Sequence, residues 1–535
     1  MIHSFSFKRT GFGMMLSVAC LLGYVLMGCQ GKTGASGTPE DGAGEADSLA
    51  ALPVLLPDTS YASAAVINYV VEVDDSTAMY TDNWTDPYKQ VNGVYAFRKN
   101  QRRDASFGGR VKGEPREVEI AWEFETDYDS KETQFGTWGG GSGWTGQPLY
   151  MHWTTEQMAM FKQSSPGLPA DFDAEEIYVS SLCGKGYFIN YKTGKASREA
   201  LDLGNVVKGT SSLDPELYNL YVGQGVPHGA VPFGCQVFDL KKHERTQFFD
   251  RDRKAWRGWG AYDSSPIVAG GFLFWPGENG GLYKYVREQG QLRKVSVLRY
   301  RVKGAAPGIE SSLCVYHNYG FFGDNHGNII CVNLNTMRPV WHYANHDDTD
   351  ATLVCGEEKD VPYLYTACEV DKQGKRGLCH IVKLNGLNGE KVWEQTIECQ
   401  RLEMAKKTLD GGMYSTPLLG DGDCKGMLFT HITRNGASKA VGEFTAFSTA
   451  DGRVLYTVPY GQFAWSSPVA LYNEKNEMFV FAGDASGVVR VMRGKTGEVL
   501  CRLEVGANFE SSPVVVGNTV VVGTRGRKIY KFVIK

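Results

Sequence analysis

The feature that most constrains the fold is a unit of four short apolar runs that recurs along the chain. Its clearest copy spans residues 464–503 and is rich in Val, Phe and Leu. The breaks between its runs, at Gly483-Asp484 and Thr496-Gly497, carry residues that hairpin connections favour. One unit therefore predicts a four-stranded antiparallel meander.

The unit recurs roughly every 40 to 50 residues, which is the signature of a repeat architecture. A pair of small residues opens most copies: Ser264-Ser265, Ser311-Ser312, Ala351-Thr352, Ser415-Thr416, Ser466-Ser467 and Ser511-Ser512. Two further units begin near Gly146 and Lys208. These eight units predict an all-β, eight-bladed β-propeller of four-stranded antiparallel blades that forms one domain, residues 61–535.

The last unit, residues 511–535, has only three strand-like runs. The run at 118–124 resembles a fourth strand, because Trp122 occupies the aromatic slot that Trp341 and Trp393 fill in other units. We therefore expect the N-terminal and C-terminal strands to pair and close the ring, which removes exposed sheet edges.

The N-terminus has the pattern of an exported protein. Lys8 and Arg9 precede an apolar run that is too short to span a membrane, and Leu26-Met27-Gly28-Cys29 resembles a bacterial lipobox. We expect residues 1–28 to be a lipoprotein signal peptide, Cys29 to carry the lipid and residues 29–60 to be a flexible tether. The alternative is an ordinary signal peptide in which Cys29 is incidental.

Charge and cysteine content narrow the possible partners. The net charge is -4 and no basic run occurs, which excludes nucleic acid because its binding needs clustered Lys and Arg. Ten cysteines remain besides Cys20 and Cys29, and they lie singly in apolar runs. They are typical of small buried side chains, and export would allow some of them to pair.

The succession of Ser-Ser-Pro-Val, Gly-Asp-x-x-Gly and Thr-Gly-Glu elements over residues 466–498 resembles the repeat of the pyrroloquinoline-quinone-like eight-bladed β-propellers. The resemblance covers residues 146–535. That superfamily contains quinoprotein alcohol dehydrogenases and also non-enzymatic envelope lipoproteins, such as the propeller subunit of the outer-membrane assembly machine. The resemblance implies the fold, whereas function depends on the site.

The dehydrogenases of this superfamily typically place a vicinal cysteine pair over the quinone. No two cysteines are adjacent in this sequence, and no Cys-x-x-Cys-His haem motif occurs. No catalytic residue can therefore be transferred, and we expect neither pyrroloquinoline quinone nor another organic cofactor.

One constellation predicts a binding site. The residue before each small pair varies between units, and the innermost strand of a propeller lines the channel, so these positions should form a ring: Asp263, Glu310, Asp350, Tyr414, Trp465 and Glu510. Trp144 and Trp259 should lie near the same face. Acids beside aromatic walls suit a cation such as Ca²⁺, an amine or a sugar. The alternative is a ring that only solvates the funnel.

A second polar pattern, His342-x-x-x-His346 followed by three nearby aspartates, has metal-ligand spacing only on a helix. It falls between two predicted blades, where a loop is expected. The sequence therefore favours a solvated loop.

Together these observations predict a monomeric, lipid-anchored binding or interaction scaffold of the bacterial cell envelope. It would sit outside the cytoplasmic membrane or on the outer membrane, with a protein partner there. The alternative is a quinone-dependent dehydrogenase, or another enzyme that uses the central funnel, and a near-ultraviolet chromophore in the purified protein would distinguish a quinoprotein.

Replacing the lipobox cysteine tests the anchor. The Cys29→Ser variant should leave the membrane and be recovered as soluble exported protein, because the tether has no apolar stretch to hold a bilayer. Fractionation measures this outcome, and globomycin should make unprocessed wild-type precursor accumulate. Unchanged membrane association of the variant would contradict the lipoprotein assignment.

Overall fold

The computed structural model describes residues 55–104, 109–143, 146–165, 167–404 and 407–535. The predicted signal peptide, Cys29 and Trp144 lie outside these residues. At the end of the predicted tether, Leu56 and Pro57 contact blade 4 through Asn318 and Tyr319. Among the described helices, none combines the length and apolarity that a membrane crossing requires.

The N-terminal part of the described chain precedes the blades. Its strands are β1 (Ile67–Val73), β2 (Gly93–Val94), β3 (Val118–Glu125), β4 (Asp129–Thr133) and β5 (Gly136–Gly139). Strands β4 and β5 pair as a hairpin. Short 3-10 helices lie at Ala62–Val66, Ser76–Ala78, Pro87–Lys89 and, in blade 6, Gly422–Cys424.

Blades 1 to 4 follow in chain order. Blade 1 has β6 (Leu149–His152), β7 (Glu175–Ser180), β8 (Lys185–Asn190) and β9 (Leu201–Asp202), and the helix α1 (Thr155–Ser164) follows β6. Blade 2 has β10 (Ser212–Leu213), β11 (Asn219–Gly223), β12 (Gly234–Asp239) and β13 (Glu244–Asp250). Blade 3 has β14 (Ile267–Ala269), β15 (Phe272–Gly277), β16 (Gly281–Glu288) and β17 (Gln291–Val302). Blade 4 has β18 (Cys314–Tyr316), β19 (Tyr319–Gly323), β20 (Asn328–Asn333) and β21 (Arg338–Ala344).

Blades 5 to 8 complete the ring. Blade 5 has β22 (Val354–Glu358), β23 (Val361–Ala367), β25 (Arg376–Asn385) and β26 (Lys391–Gln400). Blade 6 has β30 (Leu418–Leu419), β31 (Met427–Thr433), β32 (Gly442–Ser448) and β33 (Val454–Tyr460), extended by β24 (Glu369–Val370) and β29 (Gly411–Gly412). A separate hairpin comprises β27 (Leu402–Met404) and β28 (Lys407–Leu409). Blade 7 has β34 (Val469–Tyr472), β35 (Met478–Gly483), β36 (Val488–Arg493) and β37 (Val499–Glu504). Blade 8 has β38 (Val514–Val516), β39 (Thr519–Gly523) and β40 (Lys528–Ile534).

The predicted closure is confirmed. Strand β3 pairs antiparallel with β40, from Val118 opposite Ile534 to Glu125 opposite Lys528, and so supplies the fourth strand of blade 8. The all-β, eight-bladed propeller predicted from the repeat is therefore the observed fold. The sequence pattern did not reveal that β1 adds a fifth strand to blade 3 or that β2 pairs with β6 in blade 1.

The small pairs of the repeat bind neighbouring blades to one another around the channel. The backbone N–H of Ser265 donates to the hydroxyl of Ser312 at 2.8 Å, and that of Ser312 donates to Thr352 at 3.0 Å. The same bond recurs from Thr416 to Ser467 and from Ser467 to Ser512. Short hydroxyl side chains are needed here because larger ones would not fit between the crowded inner strands.

The recurring aromatic slot joins outer strands to the next blade. The indole N–H of Trp341 donates to the carbonyl oxygen of Gly386 at 2.9 Å, and Trp393 bonds Thr449 in the same way. A Cβ on Gly389, whose φ is 76°, would lie 2.6 Å from the Trp341 ring. The turn glycine is thus required both by its left-handed backbone and by the indole that covers it.

Residues 93–104, here called the channel plug, cross one end of the channel. Backbone oxygens of Tyr95 and Arg102 accept hydrogen bonds from the inner strands of blades 2 and 5. The fully buried Arg98 donates to the carbonyl oxygens of Pro417 and Pro468, in blades 6 and 7. The plug therefore satisfies backbone N–H and carbonyl groups of the blades that would otherwise be buried without partners.

Two deletions test the closure of the ring. Removing residues 30–126 should abolish cooperative thermal unfolding, because it deletes β3 together with the channel plug and leaves blade 8 with an unpaired edge. Removing residues 30–50 is the control and should leave the melting temperature unchanged. Circular dichroism measures both transitions, and equal melting curves would contradict this account of closure.

Candidate functional site

The residues before the small pairs surround a narrow chamber on the propeller axis. The chamber has a volume of about 20 Å³, and residues that precede the small pairs line it: Asp263, Glu310, Asp350, Tyr414 and Trp465. Hydroxyl side chains of the inner strands line it as well: Thr210, Ser312, Thr352 and Thr416. Phe97 of the channel plug also lines the chamber, so the plug bounds it on one side.

A wider pocket of about 610 Å³ shares Glu310 with the chamber lining. The β4–β5 hairpin contributes Phe135 and Trp138 to its wall, and Trp259 completes the aromatic side. The rings of Phe135 and Trp259 meet edge to face, with centroids 5.8 Å apart. We call this space the funnel pocket. Its charged lining consists of Lys208, Arg257, Glu278 and Glu310.

Two groups of three carboxylates lie beside these spaces. In the first, oxygen atoms of Asp263, Glu278 and Glu310 lie within 4.8 Å of one another. The ammonium group of Lys208 pairs with Asp263. In the second group, Asp348, Asp350 and Glu369 meet the same distance limit. The axis of the propeller is therefore strongly acidic on the side of blades 3 to 5.

Burial makes the carboxyl groups of Glu278, Asp350 and Glu369 hard to ionise. Loss of solvation raises the pKa of Glu278 well above its ordinary value, and the neighbouring charges of Glu310 and Asp263 raise it further. Burial followed by the charge of Glu310 raises the pKa of Asp350 in the same direction. Glu369 is also shifted well upward, chiefly by burial. A bound cation would reverse these shifts by stabilising the ionised carboxylates.

Glu278 shows that the site is incompletely satisfied. Its side chain is only 3% exposed, and among the described residues its Oε1 atom has no hydrogen-bond partner. Glu369 is equally buried, and its Oε1 atom also has no hydrogen-bond partner among the described residues. A buried polar atom without a partner costs roughly 1–3 kcal/mol, so a ligand that contacted these oxygens would remove that cost.

Neither a protein-family model nor a curated protein matches the sequence. Among solved structures, the quinohemoprotein alcohol dehydrogenase ADHIIG of Pseudomonas putida HK5 is similar, with a TM-score of 0.57 and 12% identity over 84% of this chain and 81% of that chain. The quinohemoprotein alcohol dehydrogenase of Comamonas testosteroni has a TM-score of 0.56 and 14% identity, covering 82% of this chain and 80% of its own. The chain has the propeller fold of the quinoprotein dehydrogenases. BamB of Moraxella catarrhalis is a more distant match, with a TM-score of 0.45 and 13% identity over 70% of this chain and 97% of that chain.

At these identities the likeness establishes the fold alone, so the fit of a quinone has to be judged from the residues. Pyrroloquinoline quinone carries three carboxylates. A chamber of about 20 Å³ is far too small for it, and the funnel pocket places two acids, Glu278 and Glu310, beside two cations, Lys208 and Arg257. All ten cysteines among the described residues are free thiols, and none adjoins another in sequence. The chamber therefore does not fit this cofactor, and the vicinal cysteine pair of the dehydrogenases is missing from the sequence.

The structure brings together most of the residues that the sequence singled out. Five of the ring positions line the chamber, and Trp259 lines the funnel pocket. Glu510 is not among the lining residues of either space; it contacts Arg525 at 3.7 Å and accepts a hydrogen bond from Asn508. Trp144 lies outside the described residues. Ligand binding by this ring stays a prediction.

Sequence reasoning missed Lys208 and Glu278. Lys208 occupies the ring position of blade 2, where Gly209 replaces the first small residue because a Cβ would lie 1.8 Å from the Asp263 carbonyl oxygen. Glu278 follows the glycine that ends β15, at the place where Asp324 and Asp484 stand in other blades. An alignment of the blades at this turn would have given the signal. It shows the longer Glu278 in blade 3 where other blades have aspartate.

The raised carboxyl pKa values predict a specific pH dependence of stability. A group with a raised folded-state pKa holds its proton longer in the folded protein, so stability falls as the pH rises above the ordinary carboxyl range of about 4. Glu278→Gln should therefore flatten the fall in melting temperature between pH 5 and 8. The control Glu288→Gln, at an exposed acid on the same blade, should leave the slope as in wild type. If the melting temperature of Glu278→Gln fell with pH as steeply as that of wild type, this assignment would be contradicted.

Proposed function

We propose that the protein is a non-catalytic, lipid-anchored binding protein of the bacterial cell envelope whose axial chamber holds Ca²⁺. The observation that carries this proposal is the lining of the chamber. Three carboxylates, Asp263, Glu310 and Asp350, share a space of about 20 Å³ with four hydroxyl groups. Oxygen donors of this kind are the ligands that Ca²⁺ prefers, and it takes about six to eight of them.

The size of the chamber supports an ion rather than an organic molecule. A space of about 10–15 Å³ already accommodates one water-sized particle, whereas organic ligands need about 300 Å³ or more. Binding a dication would compensate the mutual repulsion of the acids, part of which Lys208 already offsets through its ion pair with Asp263. The ion would therefore be bound at the place where the fold concentrates negative charge.

The funnel pocket would then receive the ligand or partner group that the scaffold recognises. Its volume of about 610 Å³ lies in the range of small-molecule sites, and its aromatic side suits an amine-bearing group that can also reach Glu278. Envelope location, the lipid anchor, a monomeric state and a protein partner are part of this proposal. Crosslinking in native membranes followed by mass spectrometry tests the partner.

Calcium titration tests the central claim. CaCl₂ at millimolar concentration should raise the melting temperature of the wild-type protein, because an ion that binds only the folded state stabilises it by mass action. Isothermal calorimetry should show binding heat. The combined variant Asp263→Asn, Glu310→Gln and Asp350→Asn should lose both effects.

A matched control separates the chamber from general charge effects. Neutralising three exposed acids, Glu288, Asp360 and Glu504, changes the net charge equally and should preserve the calcium response. The triple chamber variant must also keep the wild-type circular dichroism spectrum. No calcium-induced shift and no heat in wild type would remove the calcium proposal and leave contact with a partner as the function.

A further inference from the structure

A separate cluster of metal-binding side chains lies at the junction of blades 4 and 5. Here the Nδ1 atom of His380 is 2.5 Å from Oε1 of Glu394, and Nε2 of His346 is 3.4 Å from the same oxygen. The ligand atoms of all three residues lie within 4.8 Å of one another. None of these residues lines the chamber or the funnel pocket.

Two neighbouring strands and one loop position this cluster. In blade 5, His380 on β25 is opposite Thr396, two residues from Glu394 on β26, so the two side chains are diagonal neighbours on one face. His346 follows β21 of blade 4 and has a left-handed backbone, with φ of 71°. Its ring stacks on that of His380 with centroids 3.8 Å apart. The register of one blade and the exit loop of another thus bring three ligands to one point.

This grouping differs from the one that the sequence suggested. His342 bonds Asn328 within blade 4, through Nε2 at 2.9 Å, and does not join His346. The partner of His346 is instead a histidine 34 positions later, His380. The His342-x-x-x-His346 spacing is therefore irrelevant to the cluster, because residue 342 lies on a strand and not on a helix.

We propose that His346, His380 and Glu394 bind one Zn²⁺ ion that joins blade 4 to blade 5. Two imidazole nitrogens and one carboxylate oxygen are a donor set that Zn²⁺ accepts, with a fourth position for water or a partner's side chain. Bonds of about 2.0–2.2 Å in a tetrahedron place ligand atoms about 3.3–3.6 Å apart. The His346–Glu394 distance of 3.4 Å already has this value.

The remaining adjustments are local, and the first is a rotation of the stacked rings, whose planes are 19° apart, so that both nitrogen lone pairs point at one ion. The His380–Glu394 pair is at hydrogen-bond distance and must separate by less than about 1 Å to reach a tetrahedral edge. His346 is 47% exposed, which gives an ion access from solvent and lets the ring turn. Lys391 contacts the other carboxylate oxygen of Glu394, so Oε1 is the atom left to bind metal.

Calorimetry with ZnCl₂ on the metal-free full-length protein tests this proposal. One equivalent should bind, and the Co²⁺-loaded protein should show the strong visible absorption of four-coordinate cobalt. His346→Asn is the most informative variant, because asparagine tolerates the left-handed backbone while losing the imidazole. Its zinc affinity should fall more than about a hundredfold, since even loss of an outer-shell partner costs ten- to a hundredfold.

Two comparisons complete the test. Glu394→Gln should weaken zinc binding as His346→Asn does, while His152→Ala, which removes a blade 1 histidine bonded to Asn92, should bind zinc as wild type does. Zinc should also raise the melting temperature of wild type and not that of His346→Asn. Absence of stoichiometric binding, or equal affinity in wild type and His346→Asn, would overturn the proposal. The calcium response of the chamber should be unchanged in His346→Asn, which keeps the two sites distinguishable.

Discussion

The propeller depends on close contact between inner strands around its axis. Backbone N–H groups donate to the short hydroxyl side chains of the next blade, as from Ser265 to Ser312 and from Ser312 to Thr352. Small side chains at most of these positions let the strands pack closely enough for the bonds to form. This constraint makes the channel so narrow that only a chamber of about 20 Å³ remains. The same narrowness forces the preceding side chains into each other's electrostatic field.

Convergence of the acids is costly without a counter-charge. Asp263, Glu278 and Glu310 approach one another closely, and burial removes the water that would screen them. Lys208 offsets part of this repulsion from the neighbouring blade. An incompletely compensated cluster of buried carboxyl groups is typical of a functional site, which is why the proposed function is placed at the chamber.

The propeller fold is shared with proteins of very different sequence. Two quinohemoprotein dehydrogenases have the same propeller at 12% and 14% identity. Inter-blade contacts that use small hydroxyls, tryptophans and turn glycines can be kept while the side chains at the axis change. In this chain those side chains include three acids and two aromatic residues around a chamber of about 20 Å³, with the channel plug on one side. The blade 4–5 cluster lies outside the axis and draws on different elements, so it can evolve independently of the funnel.

The sequence by itself determined the blades, their number and the closure by β3, because four-strand meanders and their turns are local patterns that repeat. It also located six ring positions, since a small pair marks the inner strand in blades 3 to 8. Only the tertiary structure decided which side chains meet at the chamber, at the funnel pocket and at the junction of blades 4 and 5. Glu278 comes from the end of a second strand, Phe97 from a segment without periodicity, and His380 joins His346 across a blade junction. Such meetings depend on the rotation between successive blades and on the path of the N-terminal segment, which residue spacing does not encode.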